Sequence, residues 1–411
     1  MPQDGGYIRV DDSGNLVVPA ELAGRFGLRP GARVRYDEGP QGLLLQRPVN
    51  HLARLYVEPT TECNLACGTC IRHAWSEPIG RMSEDIFRRV LEGLRSFHPI
   101  PLVFFGGFGE PLSHPDIFRM IREVKKLGSA AELITNGTLL DEPVVQELLE
   151  SGLDSLWVSV DGTVDCGHAG SGAAAGLAGV LGKLQRLQRR KLECGLKKPQ
   201  VGLAFVAMAD NVAEFPELLQ WALRHHIKKL SVSNVLPHLA ELKQQILYQR
   251  CLYNIDYGAE VELPRMDSDE NTLKLTHAVL REDALPRFEE QASLRRRDSC
   301  PFVRKGSSSV RWDGQVSPCL PLLHAHDSYL GERRRRIEAF AVGSLSGQGL
   351  PAIWQESSYV ALRSRLLDFD FSPCSWCNSC DFPDSNREDC FGSPAPACGG
   401  CLWAQGFIRC P

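Results

Sequence analysis

The chain has 411 residues, 43% of them hydrophobic and 23% charged, and a formal net charge of −4. That length suggests two or three domains with ample core, and the slight acidity argues against a general affinity for nucleic acid. No run of about 18 apolar residues marks a membrane span, and the N-terminus lacks the basic and apolar regions of a secretory leader, so a cytoplasmic, reducing location is expected.

In such a compartment the fifteen cysteines need a role other than disulfides. Cys166, Cys194 and Cys251 stand alone and read as small buried hydrophobes. The other twelve fall into two groups, three near residue 65 and nine between Cys300 and Cys410.

Residues 1–50 read as a unit of their own. Tyr7-Ile8-Arg9-Val10 alternates as a strand, Asp12-Ser13-Gly14-Asn15 is a turn, and Leu16-Val17-Val18 is a second strand. Pro19 opens a short helix through Phe26 and Gly27 stops it. Ala32 to Tyr36 and Leu43-Leu44-Leu45 supply two more strands. The run Gly14 to Pro19, with Leu22, Gly27-Leu28-Arg29-Pro30-Gly31 and Val34, resembles the swapped-hairpin domains of the AbrB and MazE group. The resemblance implies a dimer in which hairpins interleave. Basic residues are few here, so a docking or dimerisation module is expected rather than DNA binding.

From residue 51 strands and helices alternate. Strands are expected at Leu55–Val57, Leu102–Phe105, Leu133–Ile134, Leu156–Val160, Val201–Ala207 and Leu230–Ser233. Helices are expected after Ser83 (an N-cap), from Pro115, around Val144 and Leu148, around Leu184 and Leu187, and from Val212 to Leu223. Strands apolar on both faces, alternating with amphipathic helices, make a covered parallel sheet. The expected class is α/β: a partial (β/α)6 barrel over 51–290, behind a small β-rich domain at 1–50 and ahead of a cysteine-rich extension at 291–411. Ligands of such sheets gather at the C-terminal strand ends.

The chemistry-bearing residues fall at those ends. Cys63, Cys67 and Cys70 stand at CxxxCxxC spacing after the first strand. Three thiols suit a 4Fe–4S cube with one open iron better than a zinc knuckle, which prefers paired CxxC or Cys/His sets. Gly106-Gly107-Phe108-Gly109-Glu110-Pro111 follows the second strand, Asn136 the third, and Ser159 and Asp161 end the fourth. Taken singly, the glycine run could be a tight turn, Asn136-Gly137 another, and Ser159 and Asp161 caps.

Together the triad and the glycine run resemble the radical S-adenosylmethionine (SAM) enzymes. The resemblance implies that the three cysteines hold the cluster and that SAM occupies the open iron. It implies that Gly106, Gly107, Gly109, Glu110 and Pro111 meet the methionyl amino group, with Glu110 supporting and with glycine allowing close backbone approach. Asn136, Ser159 and Asp161 would contact the ribose or methionyl part. A low-potential electron, from a donor such as ferredoxin or flavodoxin, would then cleave SAM to a 5′-deoxyadenosyl radical. Thr69 departs from the aromatic residue common before the third cysteine, which points to a subfamily. Ile71 to Trp75 is either a contact region or a solvated loop with one buried Trp.

The tail adds Trp312 to Cys319, read as a hairpin delivering a cysteine. Cys374, Cys377 and Cys380 follow at CxxCxxC, then Cys390, Cys398, Cys401 and Cys410. With Cys300 and Cys319 these are nine thiols, enough for two further clusters; structural zinc is the competing reading. The pattern resembles the SPASM extension, which carries up to two auxiliary 4Fe–4S clusters, although Pro383 stands where its usual CxxC-x5-C spacing needs a cysteine. Glu58 to Leu65, Cys67 to Arg72 and the terminal Cys398 to Pro411 resemble the maturases of tungsten-containing aldehyde ferredoxin oxidoreductases. That implies a substrate in the tungsten enzyme, its cofactor or an associated peptide. Two alternatives are a radical SAM peptide modifier forming a thioether or crosslink, and a redox-sensing AbrB-like DNA-binding regulator. Arg295 to Arg297 and Arg333 to Arg336 read as solvated charge runs.

Overall fold

A computed structural model describes residues 7–32, 34–39, 42–75, 77–160, 176–253, 263–281, 287–288, 299–375, 377 and 379–410. The N-terminal unit has the expected order. Strands β1 (Arg9–Val10) and β2 (Leu16–Val17) form one antiparallel hairpin, a helix spans Ala20–Phe26, and β3 (Tyr36–Gly39) and β4 (Gly42–Leu45) form a second hairpin. The Asp11 carboxylate accepts the Ser13 and Asn15 N–H groups at 3.0 and 2.8 Å, which fixes the first turn. Gly27 ends the helix in the left-handed region at φ 70°. The third strand begins at Tyr36, later than the expected Ala32. The two hairpins belong to separate sheets, and Val10, Leu16, Tyr36 and Leu43 are exposed.

The six expected barrel strands are present as β5 (Arg54–Val57), β6 (Leu102–Phe105), β7 (Ala131–Thr135), β8 (Ser155–Ser159), β9 (Gln200–Ala207) and β10 (Lys229–Asn234). Each pairs in parallel with the next. Period-two alternation buries both faces. Leu55, Val57, Val103, Phe105, Leu156 and Val158 pack outward against the helices. Tyr56, Phe104 and Trp157 point to the concave side, where Phe302, Leu320 and Leu323 of the tail cover them.

The helices follow their capping residues. Ser83 Oγ accepts the Ile86 N–H at 3.3 Å ahead of helix Glu84–Leu94. Asp141 accepts the Val144 N–H at 3.1 Å ahead of Glu142–Glu150. The helix expected from Pro115 begins at Ile117, because the His114 ring holds the Asp116 N–H at 3.1 Å and keeps that residue in a turn. On that helix Ile121 is fully buried in the main core. Ile121→Ala should lower unfolding free energy by about 2–5 kcal/mol. Asp141→Ala removes only a cap and should lower it by about 1 kcal/mol. Urea midpoints for the pair check the ordering.

The tail is continuous with the barrel. Strand β11 (Arg287–Phe288) pairs in parallel with β10, and β12 (Ser307–Val310) pairs in parallel with β5. Then come β13 (Gln315–Ser317), the hairpin β14 (His326–Leu330) and β15 (Arg333–Ile337), and β16 (Gly343–Ser344). Among the described residues the main sheet runs β11-β10-β9-β8-β7-β6-β5-β12-β13-β16. The β12–β13 turn is the expected hairpin, and it ends at Cys319.

Two sequence expectations change here. Cys251 is buried as expected, but Cys194 is exposed because it caps the helix Leu177–Glu193; Cys166 lies outside the described residues. Arg333 to Arg336 are not a solvated run. They form β15, and alternation turns Arg335 inward until it is 4% exposed. Arg334 and Arg336 pair with Asp327, and Arg333 pairs with Asp384. Arg295 to Arg297 lie outside the described residues.

Candidate active site

The triad loop is tied at its base. The Thr61 N–H donates to Gly80 O at 3.0 Å, and the Gly80 N–H donates to Thr61 Oγ1 at 2.9 Å. Arg72 spans the loop, donating to Thr61 O at 3.0 Å and Leu65 O at 2.8 Å. The three thiols are half-buried on this clamped loop, with Cys67 and Cys70 in one turn closed by Cys70 N–H to Cys67 O at 3.0 Å.

The glycine run lies directly against that loop. The Glu110 N–H donates to Glu62 O at 2.7 Å. A Cβ on Gly109 would stand 2.2 Å from Thr60 O and 2.6 Å from Glu62 O. One on Gly107 would meet the Glu58 side chain at 2.6 Å, and one on Gly106 would meet Phe104 and Ile134. These residues lack a Cβ so that the run can pack on the protein's own loop and strands.

Glu110 also ties the protein's own loops together. It is buried, and its carboxylate accepts Leu112 N–H at 2.9 Å, Thr135 Oγ1–H at 2.8 Å and Asn136 N–H at 2.7 Å. Burial raises its pKa despite those bonds. The side chain joins the loops after β6 and β7. Pro111 is buried and opens the short turn Pro111–Ser113. Asn136 sits at the triad, its Nδ2 3.7 Å from Cys63 Sγ and 2.9 Å from Asn64 Oδ1. Ser159 ends β8, half-buried and paired with Ala204. Asp161 lies outside the described residues.

This donor set fits a cluster. Cys63 Sγ receives Leu65 N–H at 3.4 Å as well as Asn136 Nδ2–H, the kind of donor that stands around cluster sulfurs. Such bonds also tune cluster potential. Asn136→Ala should move the triad cluster's midpoint to more negative values, because a donor to sulfur favours the more reduced, more negative state. Anaerobic redox titration followed by paramagnetic resonance reads the shift.

In the tail, Cys300, Cys319, Cys398 and Cys401 line one cavity of about 70 Å³ with Arg335 in its wall. Burial pushes the Cys300 thiol up to about 12 and raises Cys319, Cys398 and Cys401 as well. As thiols they keep their protons at neutral pH, and a bound metal would draw those protons off. Gly399 and Gly400 separate Cys398 from Cys401. A Cβ there would strike Ser372 O and the Arg335 guanidinium. Arg335 donates to the backbone carbonyls of Pro383 and Gly400. Burial lowers its pKa, and Cys401, Cys374, Cys398 and Asp384 stand near enough to oppose that shift wherever they ionise. Cys374 instead feels Arg335, Asp389 and Cys390. Cys410 accepts from Trp403 Nε1 at 3.3 Å. Among the described residues none of the fourteen cysteines is disulfide-bonded. No three Cys, His or carboxylate groups among those residues close in as they would around a single ion.

Sequence reasoning passed over Glu58, Glu77 and His324, three ionisable groups joined at this site. The one signal in the sequence was a carboxylate set directly behind the apolar strand Leu55-Tyr56-Val57.

The profile of the radical SAM superfamily matches residues 57–169, and that of the SPASM iron–sulfur cluster-binding domain matches residues 300–381. The chain is 32% identical over 366 residues to the tungsten-containing aldehyde ferredoxin oxidoreductase cofactor-modifying protein of Pyrococcus furiosus, covering 87% of this chain and 96% of that one. It is 31% identical over 403 residues to the Fe-coproporphyrin III synthase of Methanosarcina barkeri, covering 92% and 93%. Among solved structures, native anSMEcpe with bound AdoMet shares the fold with a TM-score of 0.53 at 14% identity, over 86% of this chain and 96% of that one.

Proposed function

The chain belongs to the radical SAM superfamily, with a SPASM domain behind its partial barrel, and from that footing we propose that it is a maturase for a tungsten-containing oxidoreductase or its cofactor. A 4Fe–4S cluster with SAM supplies reductive cleavage of the sulfonium and a 5′-deoxyadenosyl radical. The protein's own work is to place and shield that chemistry. Cys63, Cys67 and Cys70 hold the cluster, and Leu65 N–H and Asn136 serve Cys63. The backbone of Gly106 to Pro111 receives SAM, and Ser159 flanks it. The observation that carries this reading is the seating of the glycine run on the triad loop, through Glu110 N–H to Glu62 O.

In the tail, Cys300, Cys319, Cys398 and Cys401 hold one auxiliary 4Fe–4S cluster. Cys374, Cys377, Cys380 and Cys390 hold the other, and Cys410 is the thiol left over. The substrate is protein-borne or the cofactor of the partner enzyme, and a ferredoxin or flavodoxin supplies the electron. No described helix is long and apolar enough to cross a membrane, and a cytoplasmic site of action belongs to the proposal. The N-terminal unit dimerises by interleaving its two unpaired hairpins over their exposed Val10, Leu16, Tyr36 and Leu43.

Anaerobic reconstitution, iron counting and treatment with dithionite and SAM form the test. About twelve irons, as three four-iron clusters require, and release of 5′-deoxyadenosine are expected. Alanine at Cys63, Cys67 and Cys70 together should abolish nucleoside release and keep the tail iron; unchanged release sinks the assignment. For the substrate, the immature tungsten oxidoreductase should gain activity when incubated with the loaded protein. Consumption of Fe-coproporphyrin in its place would overturn the tungsten reading.

A further inference from the structure

Glu58 directly follows β5 and is fully buried. Its Oε1 accepts the Phe108 N–H at 3.1 Å, from the middle of the glycine run. Its Oε2 lies 2.9 Å from His324 Nε2. The other ring nitrogen, Nδ1, lies 2.7 Å from Glu77 Oε2. Glu77 also accepts the Ala325 N–H at 2.9 Å and Arg311 Nη1 at 3.0 Å. With a carboxylate at each nitrogen, both nitrogens donate, and the ring is the imidazolium. The Trp75 ring lies over it at 4.1 Å between centroids, and Phe108 meets it edge-on at 5.8 Å.

Three separate stretches of chain meet at this ring. The segment of Trp75 and Glu77 continues from the triad loop. Glu58 and Phe108 bracket the glycine run. His324 and Arg311 come from the cysteine-rich tail. A buried charge is tolerated only when paired and hydrogen-bonded, and here two carboxylates enclose one imidazolium while Arg311 is shared between Glu77 and Asp313. The arrangement is stiff because losing any member strands the others.

We propose that His324 is a positioning residue for SAM: its bridge between Glu58 and Glu77 holds the Phe108 peptide, and with it the glycine run, so that cofactor affinity depends on a charge carried by the tail. The inference rests on the reading of the glycine run as the SAM site.

The charge is sensitive to pH in a defined window. Burial disfavours the charged ring, but hydrogen bonds and charge from Glu58 and Glu77 outweigh it and lift its pKa to about 9. A raised histidine contributes fully below its ordinary value of 6.5, and the contribution is lost as pH rises through about 9. The groups facing the ring are Glu58, Glu77, Arg311 and, through Arg311, Asp313. Glu77 and Asp313 are held below the usual carboxylate value and Arg311 above the usual guanidinium value, so these three keep their charge across that window. His326, whose ring bonds the His324 carbonyl, is held at about 4 by burial and does not titrate there.

The experiment uses the full chain, reconstituted anaerobically and left oxidised so that SAM is bound and not consumed. Equilibrium dialysis with labelled SAM is run from pH 7 to pH 10.5 on the wild type, His324→Gln and Glu58→Gln, with iron counted in each. His324→Gln should bind SAM about tenfold more weakly at pH 7.5, as loss of a charged hydrogen bond implies, with its iron intact. The ratio of wild-type to variant affinity cancels the ligand's own titration and should fall towards one as pH passes 9. In Glu58→Gln, which keeps an acceptor for Phe108 but loses a charge, the step should move to lower pH. Equal affinities at pH 7.5, a ratio constant with pH, or an unmoved step in Glu58→Gln overturns the proposal. Absence of SAM binding in the wild type overturns the site reading and this inference with it.

Discussion

Gly109→Ala should reduce 5′-deoxyadenosine formation at least a hundredfold while leaving the tail clusters loaded. The added Cβ would stand 2.2 Å from Thr60 O and 2.6 Å from Glu62 O. Neither is the end of a flexible side chain; both are backbone of the loop base that Gly80 and Arg72 clamp. The collision is relieved only by lifting the glycine run away, which breaks the Glu110 N–H to Glu62 O bond. A displacement of about 1 Å at a reacting centre is worth about 10²-fold in rate. Gly182→Ala is the control, because a Cβ there meets nothing within 4 Å and the backbone is ordinary helix. Nucleoside release within about threefold of wild type in Gly109→Ala would show that the run does not position SAM.

The second large effect concerns iron. Cys319→Ala should remove about four of the roughly twelve irons and Cys374→Ala a different four, so the double variant keeps only the triad's share. Paramagnetic resonance of the singly substituted proteins should show two distinct losses. Cys300, Cys319, Cys398 and Cys401 line one cavity, whereas Cys374 is not in its lining and has Asp389 and Cys390 near it; Arg335 is close to both groups. Among the described residues the buried Arg335 guanidinium has only backbone carbonyls as hydrogen-bond partners, and an anionic cluster in that cavity would give it a counter-charge. Cys410→Ser should leave the iron count whole, since its sulfur is held by Trp403. A loss of four irons on that substitution, or identical losses for Cys319→Ala and Cys374→Ala without additivity, refutes the partition.

Much of the frame was legible because local rules and tertiary packing agree. Runs such as Leu102 to Phe105 are apolar on both faces, and the fold buries both. Ser83 and Asp141 cap where their chemistry says they should. The triad was legible from its spacing, and the glycine run took on a role through the resemblance to radical SAM enzymes. What stayed hidden depends on long-range contact. Arg335 sits in a run of four arginines that reads as solvated until strand alternation and the Pro383 and Gly400 carbonyls turn it inward. His324 and Glu58 are 266 residues apart, and His324 has no local signature. Glu110 was read as supporting the cofactor contact, but its bonds to Thr135 and Asn136 were not legible in the sequence. Identity of residues at a strand end could be read, but not which of them the fold would use on itself.

The parallel pairing of β12 with β5 has a consequence for synthesis. Arg54 is matched with Ser307, so β5, the strand that leads into the triad loop, waits for about 250 further residues before its second neighbour exists. At 5–20 residues per second, roughly 10–50 s of translation pass with that edge open. An unpaired, apolar edge is a template for aggregation. The ribosome-bound chain must therefore carry the first strand of its barrel uncovered until the tail emerges, and expression yield should fall when translation is slowed between codons 60 and 300. A shortened chain ending before β12 inherits the same open edge permanently.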